Sequence, residues 1–136
     1  MINEILDRVV SWARARVDIA GVLLVGSYAR DAARPDSDVD IVILTEIPDQ
    51  YTEGWYDEVE IGPLTRNQAW GPITEWRLIS SSGLEVEFGV GSPDWALTDP
   101  VDAGTRRVVA DGARILYDPK GLLAKLLVDV ADHKEH

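Results

Sequence analysis

The chain has 136 residues, 46% of them hydrophobic and 27% charged, with a net charge of −11 and no cysteine. This length is sufficient for one domain with its own core, and the absence of cysteine excludes disulfides and zinc–thiolate sites. Because acidic residues outnumber basic ones by 24 to 13, a nucleic-acid backbone is disfavoured as the main partner.

The sequence also gives expectations about membrane insertion, cellular location and binding partners. No run of 18 apolar residues occurs, so we expect no membrane span. Asn3, Glu4 and Asp7 interrupt any signal-like apolar stretch, which favours a cytoplasmic location. The arginines are dispersed and form no basic stripe, so the partner is expected to be a small molecule, in particular a cationic one, or a protein side chain. The oligomeric state is not predicted.

The first elements are a helix and a strand that ends in a tight turn. Residues 2 to about 17 place apolar side chains at helical spacing and predict an amphipathic covering helix. The apolar run 21–25 predicts a strand that ends at Gly26 and Ser27. Gly26 allows a close approach of the backbone to a ligand. A short helix beginning near Ser27 and stopped by Pro35 would direct free N–H groups at a phosphate.

A second strand is predicted over residues 38–44. Strand side chains alternate between faces, so Asp38 and Asp40 share one face while Val39 and Ile41 occupy the other. Two like charges on one face require a positive group between them. The default candidate is Mg²⁺, which prefers carboxylate oxygens and usually arrives with substrate phosphates.

Gly26-Ser27, ten intervening residues and Asp38-x-Asp40 before an apolar strand together resemble the polymerase-beta-type nucleotidyltransferase superfamily, specifically its small stand-alone members. The resemblance implies that the Gly-Ser turn holds the phosphates of a nucleoside triphosphate, with ATP as the expected donor. It also implies that Asp38 and Asp40 coordinate Mg²⁺, with two ions in the complete site. A third acidic residue on a later strand completes the set.

Two neighbours of this motif are candidate binding residues. Arg30 lies three residues after Ser27, so it could reach the triphosphate or brace Asp38 or Asp40. Ser37 directly precedes Asp38 and could orient its carboxylate through a hydrogen bond. The predicted nucleotide-binding residues are therefore Gly26, Ser27, Arg30 and Ser37.

The region from 48 to 72 is predicted to be irregular, because glycine and proline recur in it. A short strand is expected at residues 59–61. Four aromatic residues lie in this region, and they either wall an acceptor pocket or pack in the core; they are Tyr51, Trp55, Tyr56 and Trp70.

A hairpin follows, with strands at 73–79 and 84–90 joined by Ser80-Ser81-Ser82-Gly83. Glu85 and Glu87 share one face of its second strand, and the resemblance implies that one of them is the third carboxylate. We choose Glu87, because Glu85 lies near the hairpin tip while Gly89 leaves room beside Glu87. The predicted catalytic and metal-binding set is therefore Asp38, Asp40 and Glu87.

The C-terminal part predicts a helix after Asp102 that Gly112 ends, a strand at 113–117, and a last helix from 121 to 130 with Asp118 as its N-cap and Pro119 in its first turn. Residues 131–136, with His133 and His136, are predicted to form a polar tail. The domain is expected to span residues 1–130. Its predicted class is α/β (α+β): one domain with a mixed sheet flanked by helices, mostly on one side.

The resulting hypothesis is a Mg²⁺-dependent nucleotidyltransferase that transfers a nucleoside monophosphate, AMP in particular, to a hydroxyl of a small molecule or protein. Three alternatives remain. The acceptor could be a partner toxin, as in antitoxin-type adenylyltransferases, or an aminoglycoside-like cation, or the domain could bind nucleotide without catalysis. The third acid here follows a hairpin, whereas in the best-known antitoxin-type members it follows a helix, which speaks against the toxin partner.

Overall fold

A computed structural model describes residues 2–98 and 100–134 and confirms the predicted α/β class. The α-helices are α1 (Ile2–Arg14), α2 (Ala103–Ala110) and α3 (Leu122–Lys134). The strands are β1 (Ile19–Val25), β2 (Val39–Thr45), β3 (Leu64–Trp70), β4 (Ile73–Ile79), β5 (Glu85–Gly91) and β6 (Ala113–Tyr117). Short 3-10 helices occupy Pro48–Gln50, Trp55–Val59 and Pro93–Ala96. Within the described ranges, no helix combines the length and the hydropathy needed to cross a membrane.

The strands form one mixed sheet in the order β3-β4-β5-β2-β1-β6. β2 and β5 pair in parallel, and every other pair of neighbours is antiparallel. β1 and β2 lie in the interior of the sheet, and six of the seven residues in each are buried. The parallel pair β2·β5 is the pair that matters for the site, since it places two distant segments of the chain side by side.

Helices cover both faces of the sheet. On one face α1 and the 3-10 helix Trp55–Val59 pack over a group of buried side chains that we call the first core, which includes those of Val39, Ile41, Val86 and Phe88. On the other face α2 and α3 pack over a second core, which includes Leu23 and Leu44. Two of the three α-helices thus lie on one face, in line with the prediction, but the other face is covered as well. The physical reason is that β1 and β2 are apolar on both faces, so both faces need a cover. We call the face that carries α2 and α3 the site face.

Three of the four aromatic residues singled out in the irregular region belong to the first core. The ring of Trp55 lies 5.2 Å from that of Tyr51, 5.9 Å from that of Tyr56 and 5.5 Å from that of Phe88, between ring centroids. For these residues, the core alternative is confirmed. Trp70 is different, because 54% of it is exposed and it lies on the edge strand β3.

The region predicted to be irregular differs from its prediction at two places. A strand forms at Leu64–Trp70 in the region predicted to be irregular, and the strand predicted at 59–61 is wrong, since Trp55–Val59 is a 3-10 helix. Asp118 does cap the last helix, because its carboxylate accepts hydrogen bonds from Leu123 N at 3.0 Å and Ala124 N at 2.9 Å.

The last helix begins at Leu122, so Pro119 precedes it. It continues to Lys134, four residues past the boundary predicted at 130. The end of the predicted tail, with His136, lies outside the described residues, as do Met1 and Asp99.

Candidate active site

The parallel pairing of β2 with β5 brings the predicted carboxylates together. Asp40 lies directly opposite Glu87 in the register of the two strands. Val39 and Ile41 are buried in the first core, so alternation turns Asp40 to the site face. Val86 and Phe88 place Glu87 there in the same way. Asp38 directly precedes β2, and the three carboxylates lie at one end of the parallel pair.

The site face is open where these carboxylates lie. α2 and α3 pack on β1 and β6, and so leave the part of the face formed by β4 and β5 uncovered. A cavity of about 550 Å³ lies there, with Asp40, Glu87 and Gly26 in its wall and with Trp70 and Trp95 contributing apolar surface. A ligand of the size of a nucleoside or a small acceptor can therefore reach both carboxylates.

Gly26 shapes the wall of this cavity beside Asp40. Its φ is +78°, in the left-handed region that favours glycine, and a Cβ at this position would lie 2.8 Å from Asp40 Oδ2. Only glycine therefore allows the end of β1 to approach the carboxylate so closely.

The segment after Gly26 forms a single helical turn and not the predicted short helix. Arg30 N donates to Gly26 O at 3.3 Å, and Ala32 N donates to Ser27 O at 2.9 Å. Asp31 adopts a left-handed φ of 57°, which closes the turn in the pattern of a helix C-terminus. The turn is too short to offer a helix N-terminus to a phosphate, so the prediction is wrong on this point.

Replacing Gly26 by alanine tests the close approach to Asp40. We expect a loss of about 1 to 2 kcal/mol of stability, because the left-handed φ disfavours a side chain and the new Cβ displaces the carboxylate. Thermal denaturation measures this loss. The control is Gly83→Ala, which also has a positive φ of 86° but whose Cβ would meet no atom within 4 Å. If both variants lose the same stability and keep the same activity, the contact with Asp40 has no role.

Arg77 on β4 is the cation closest to the carboxylates. Its Nη2 lies 3.0 Å from Glu87 Oε2, and its Nη1 lies 3.0 Å from Glu85 Oε2 and 3.6 Å from Asp38 Oδ2. The Nε atom lies 3.9 Å from Glu75 Oε1. The guanidinium of Arg77 thus lies within 3.9 Å of four carboxylates. Asp40 has no ion-pair partner among the described residues.

Glu75 is a second buried acid beside Glu87. Its side chain is only 8% exposed, and its carboxylate accepts hydrogen bonds from Arg66 Nη2 at 2.8 Å and Trp70 Nε1 at 2.7 Å. Burial alone would raise the pKa of Glu75, but hydrogen bonds from protonated Glu87, Arg66 and Trp70 outweigh it and lower the pKa. Glu75 is therefore the ionised member of the Glu75–Glu87 pair.

The other carboxylates have the opposite tendency. Burial raises the pKa of Glu87 to about 7, and its contact with Glu75 and the charge of Asp40 add to the effect. Burial and the charge of Asp38 likewise raise the pKa of Asp40, against the opposing effects of Glu87 and Arg77. The pKa of Asp38 is raised mainly by burial, which outweighs the attraction of Arg77. The nearby arginines therefore do not offset the cost of ionising these three carboxyl groups.

The donor atoms of this cluster suit Mg²⁺, which takes oxygen ligands from carboxylates. Arg77 shows that the site accepts a cation beside Asp38 and Glu87. Among the described residues, however, no group of three or more acidic, histidine or cysteine side chains is arranged to hold a metal ion together. The carboxylates fit the metal in chemistry, and they would have to converge further around it.

The predicted binding residues Arg30 and Ser37 do not contact the carboxylates. Arg30 Nη1 donates to Asp111 O at 3.2 Å, and Ser37 Oγ accepts a hydrogen bond from Arg34 N at 2.8 Å. Neither forms a hydrogen bond or ion pair with Asp38 or Asp40 in the part of the chain that the structure describes. The bracing role considered for Arg30 belongs to Arg77 instead.

The sequence alone did not reveal the roles of Arg77 and Glu75 or the position of Trp70. The hairpin contained a signal for the first two, since pairing Ile79 with Glu85 across the predicted turn places Arg77 opposite Glu87. Strand alternation then puts Glu75 on the same face as Arg77. No comparable signal existed for Trp70, because its strand was not predicted.

Comparison with known proteins identifies a family and structures with a similar fold. Residues 2–81 match the family described as nucleotidyltransferase domain. The crystal structure of the Cid1 poly(U) polymerase is similar at 19% sequence identity and a TM-score of 0.45, over 62% of this chain and 28% of that chain. The chain thus spans less than a third of that polymerase's length. None of the curated proteins matches at a significant level.

Proposed function

The chain belongs to the nucleotidyltransferase domain family, and from this premise we propose that it transfers a nucleoside monophosphate from a nucleoside triphosphate to a hydroxyl group. The observation that carries the proposal is the placement of Asp40 opposite Glu87 on adjacent parallel strands, at the wall of a cavity that Gly26 also borders. Two such carboxylates are costly to hold together unless a ligand uses them. We propose ATP as the donor, in keeping with the sequence resemblance.

The proposed reaction is an in-line displacement at the α-phosphorus. A bond forms between the acceptor oxygen and the α-phosphorus, the bond from that phosphorus to the bridging oxygen breaks, and pyrophosphate leaves. Asp38, Asp40 and Glu87 would hold Mg²⁺, which supplies the positive charge that neutralises the triphosphate. Glu87 would be ionised once the cation is bound, and its carboxylate would then accept the proton of the acceptor hydroxyl. Gly26 lets the nucleotide approach Asp40 without a steric obstacle.

The cavity supports a small cationic acceptor. Trp70 and Trp95 offer aromatic surface in its wall, and Asp102 and Asp111 add two carboxylates. No lysine or arginine lines it among the described residues. A cation with an apolar body suits such a wall, since indoles and carboxylates both attract cations. A nucleic-acid acceptor would need basic groups that this wall does not provide.

The first test is whether the nucleotide needs the metal. We expect calorimetry with ATP to show binding in the presence of Mg²⁺ and a loss of at least about 100-fold in affinity with EDTA, because uncompensated carboxylates repel the triphosphate. Arg77 and Arg66, the two arginines that contact the acidic cluster, are already paired with its carboxylates. Equal affinity in both conditions would contradict the metal role.

The second part of the test identifies the acceptor. The protein is incubated with each nucleoside triphosphate, Mg²⁺ and one acceptor at a time: polyhydroxylated amines such as aminoglycosides, neutral sugars, short RNA, and candidate partner proteins. Mass spectrometry should detect an acceptor heavier by one nucleoside monophosphate, together with pyrophosphate. Tight nucleotide binding without any adduct or pyrophosphate would favour a regulatory module and contradict the proposed transfer.

A further inference from the structure

We propose that Arg77 is the internal counterion of this site in the metal-free protein, and that a divalent cation binds by taking Asp38 and Glu87 from it. The inference rests on the proposed function, because it assumes that these carboxylates are the metal ligands. It assigns Arg77 a positioning role: the arginine stabilises the fold of the site when no metal is bound, and it sets the affinity for the metal.

The register of the hairpin places Arg77 in the middle of the acidic cluster. Arg77 lies opposite Glu87 across the β4·β5 pair and opposite Arg66 across the β3·β4 pair. Two arginines directly opposite one another repel, and Glu75, which lies 2.8 Å from Arg66 Nη2 and 3.9 Å from Arg77 Nε, offsets part of this repulsion. Glu85 and Glu87 each approach Arg77 to 3.0 Å, and each takes one of its two Nη atoms.

The arginine and a metal would use the same oxygen atoms. The carboxylate of Glu87 accepts a hydrogen bond from Arg77 Nη2, and that of Asp38 lies 3.6 Å from Nη1. A carboxylate oxygen that binds a guanidinium has less negative charge available for a cation. Asp40 has no such partner in the described structure, so only one of the three candidate ligands is free of the arginine.

Arg66 provides a matched control on the neighbouring strand. It also binds a buried acid of the cluster, since its Nη2 lies 2.8 Å from Glu75 Oε1. It forms no ion pair with Asp38, Asp40 or Glu87 among the described residues. Removing Arg66 therefore removes one positive charge near the site without freeing a candidate metal ligand.

The test measures binding of Mn²⁺ alone, by electron paramagnetic resonance, to the wild-type chain and to the Arg77→Met and Arg66→Met variants. We expect Arg77→Met to bind Mn²⁺ about tenfold more tightly or better, within the range by which one neighbouring charge changes the equilibria of a carboxylate. Arg66→Met should remain within about threefold of the wild type. Without metal, Arg77→Met should melt at a lower temperature, and Mn²⁺ should raise its melting temperature more than that of the wild type.

Unchanged or weaker Mn²⁺ binding by Arg77→Met, with binding retained in the wild type, would overturn the inference and leave the proposed function intact. Absence of Mn²⁺ and Mg²⁺ binding in all three proteins, with or without ATP, would instead contradict the proposed function itself.

Should Arg77→Met fail to fold, a measurement on the wild type decides. With ¹⁵N-labelled arginine, saturating Mg²⁺ is expected to shift the Nε–Hε signal of Arg77, assigned with Arg77→Lys, while the signal of Arg66 stays in place. An unmoved Arg77 signal at saturating Mg²⁺ would show that the guanidinium and the metal do not compete.

Discussion

Replacing Asp40 by asparagine is expected to reduce nucleotidyl transfer by at least about 10³-fold, which corresponds to roughly 4 kcal/mol of transition-state stabilisation. Asp40 lies opposite Glu87, against Gly26, and has no ion-pair partner among the described residues. The substitution preserves the shape of the side chain and removes the negative charge. Product formation is measured by mass spectrometry with the acceptor that the screen identifies.

The same variant should not lose stability in the absence of metal. Burial and the charge of Asp38 raise the pKa of Asp40, so the ionised carboxylate destabilises the metal-free fold. Asp40→Asn removes that charge, and its melting temperature in EDTA should equal or exceed that of the wild type. A large loss of activity without loss of stability is typical of a residue selected for function.

The control is Asp36→Asn, which removes one negative charge from an exposed position in the loop before β2. Its activity should stay within about threefold of the wild type, since an exposed charge is screened by solvent. If Asp40→Asn retains similar activity, Asp40 does not hold the catalytic cation and the proposed site is wrong.

The sequence predicted five of the six strands because each has a local signal. β1 and β2 are continuous apolar runs, and β4 and β5 are joined by a Ser-Gly turn. β3 lacked such a signal, because six of its seven residues are exposed on an edge strand and its side chains are mostly polar. Only its pairing with β4 makes it a strand, and that pairing is a tertiary property.

For the candidate site, too, the features within one strand could be predicted, whereas the contacts between distant segments could not. Alternation within one strand was sufficient to predict that Asp38 and Asp40 share a face. It could not show that Asp40 and Glu87 are neighbours, because parallel pairing joins segments that are far apart in the chain. The turn after Gly26 was mispredicted as a helix because the left-handed conformation of Asp31, which closes the turn, has no strong sequence signal.

The choice between Glu87 and Glu85 as third carboxylate gives the other large expected effect. Glu87→Gln should reduce transfer by at least about 10³-fold, whereas Glu85→Gln should reduce it by less than about tenfold. Glu87 lies in register with Asp40, and its side chain is 25% exposed against 39% for Glu85. Both carboxylates contact Arg77 at 3.0 Å, so the pair of variants controls for the loss of an arginine contact.

Thermal denaturation of the metal-free wild type and of Glu87→Gln at a series of pH values measures how the ionisation of Glu87 affects stability. The pKa of Glu87 is raised from 4.5 to about 7, so its ionisation costs more in the folded than in the unfolded chain. Wild-type stability should therefore fall as the pH rises from about 4.5 through 7, and Glu87→Gln should reduce this fall because glutamine does not titrate.

If Glu85→Gln loses transfer by orders of magnitude while Glu87→Gln retains it, the third carboxylate is Glu85, and the reacting groups lie nearer the hairpin tip than the register with Asp40 indicates.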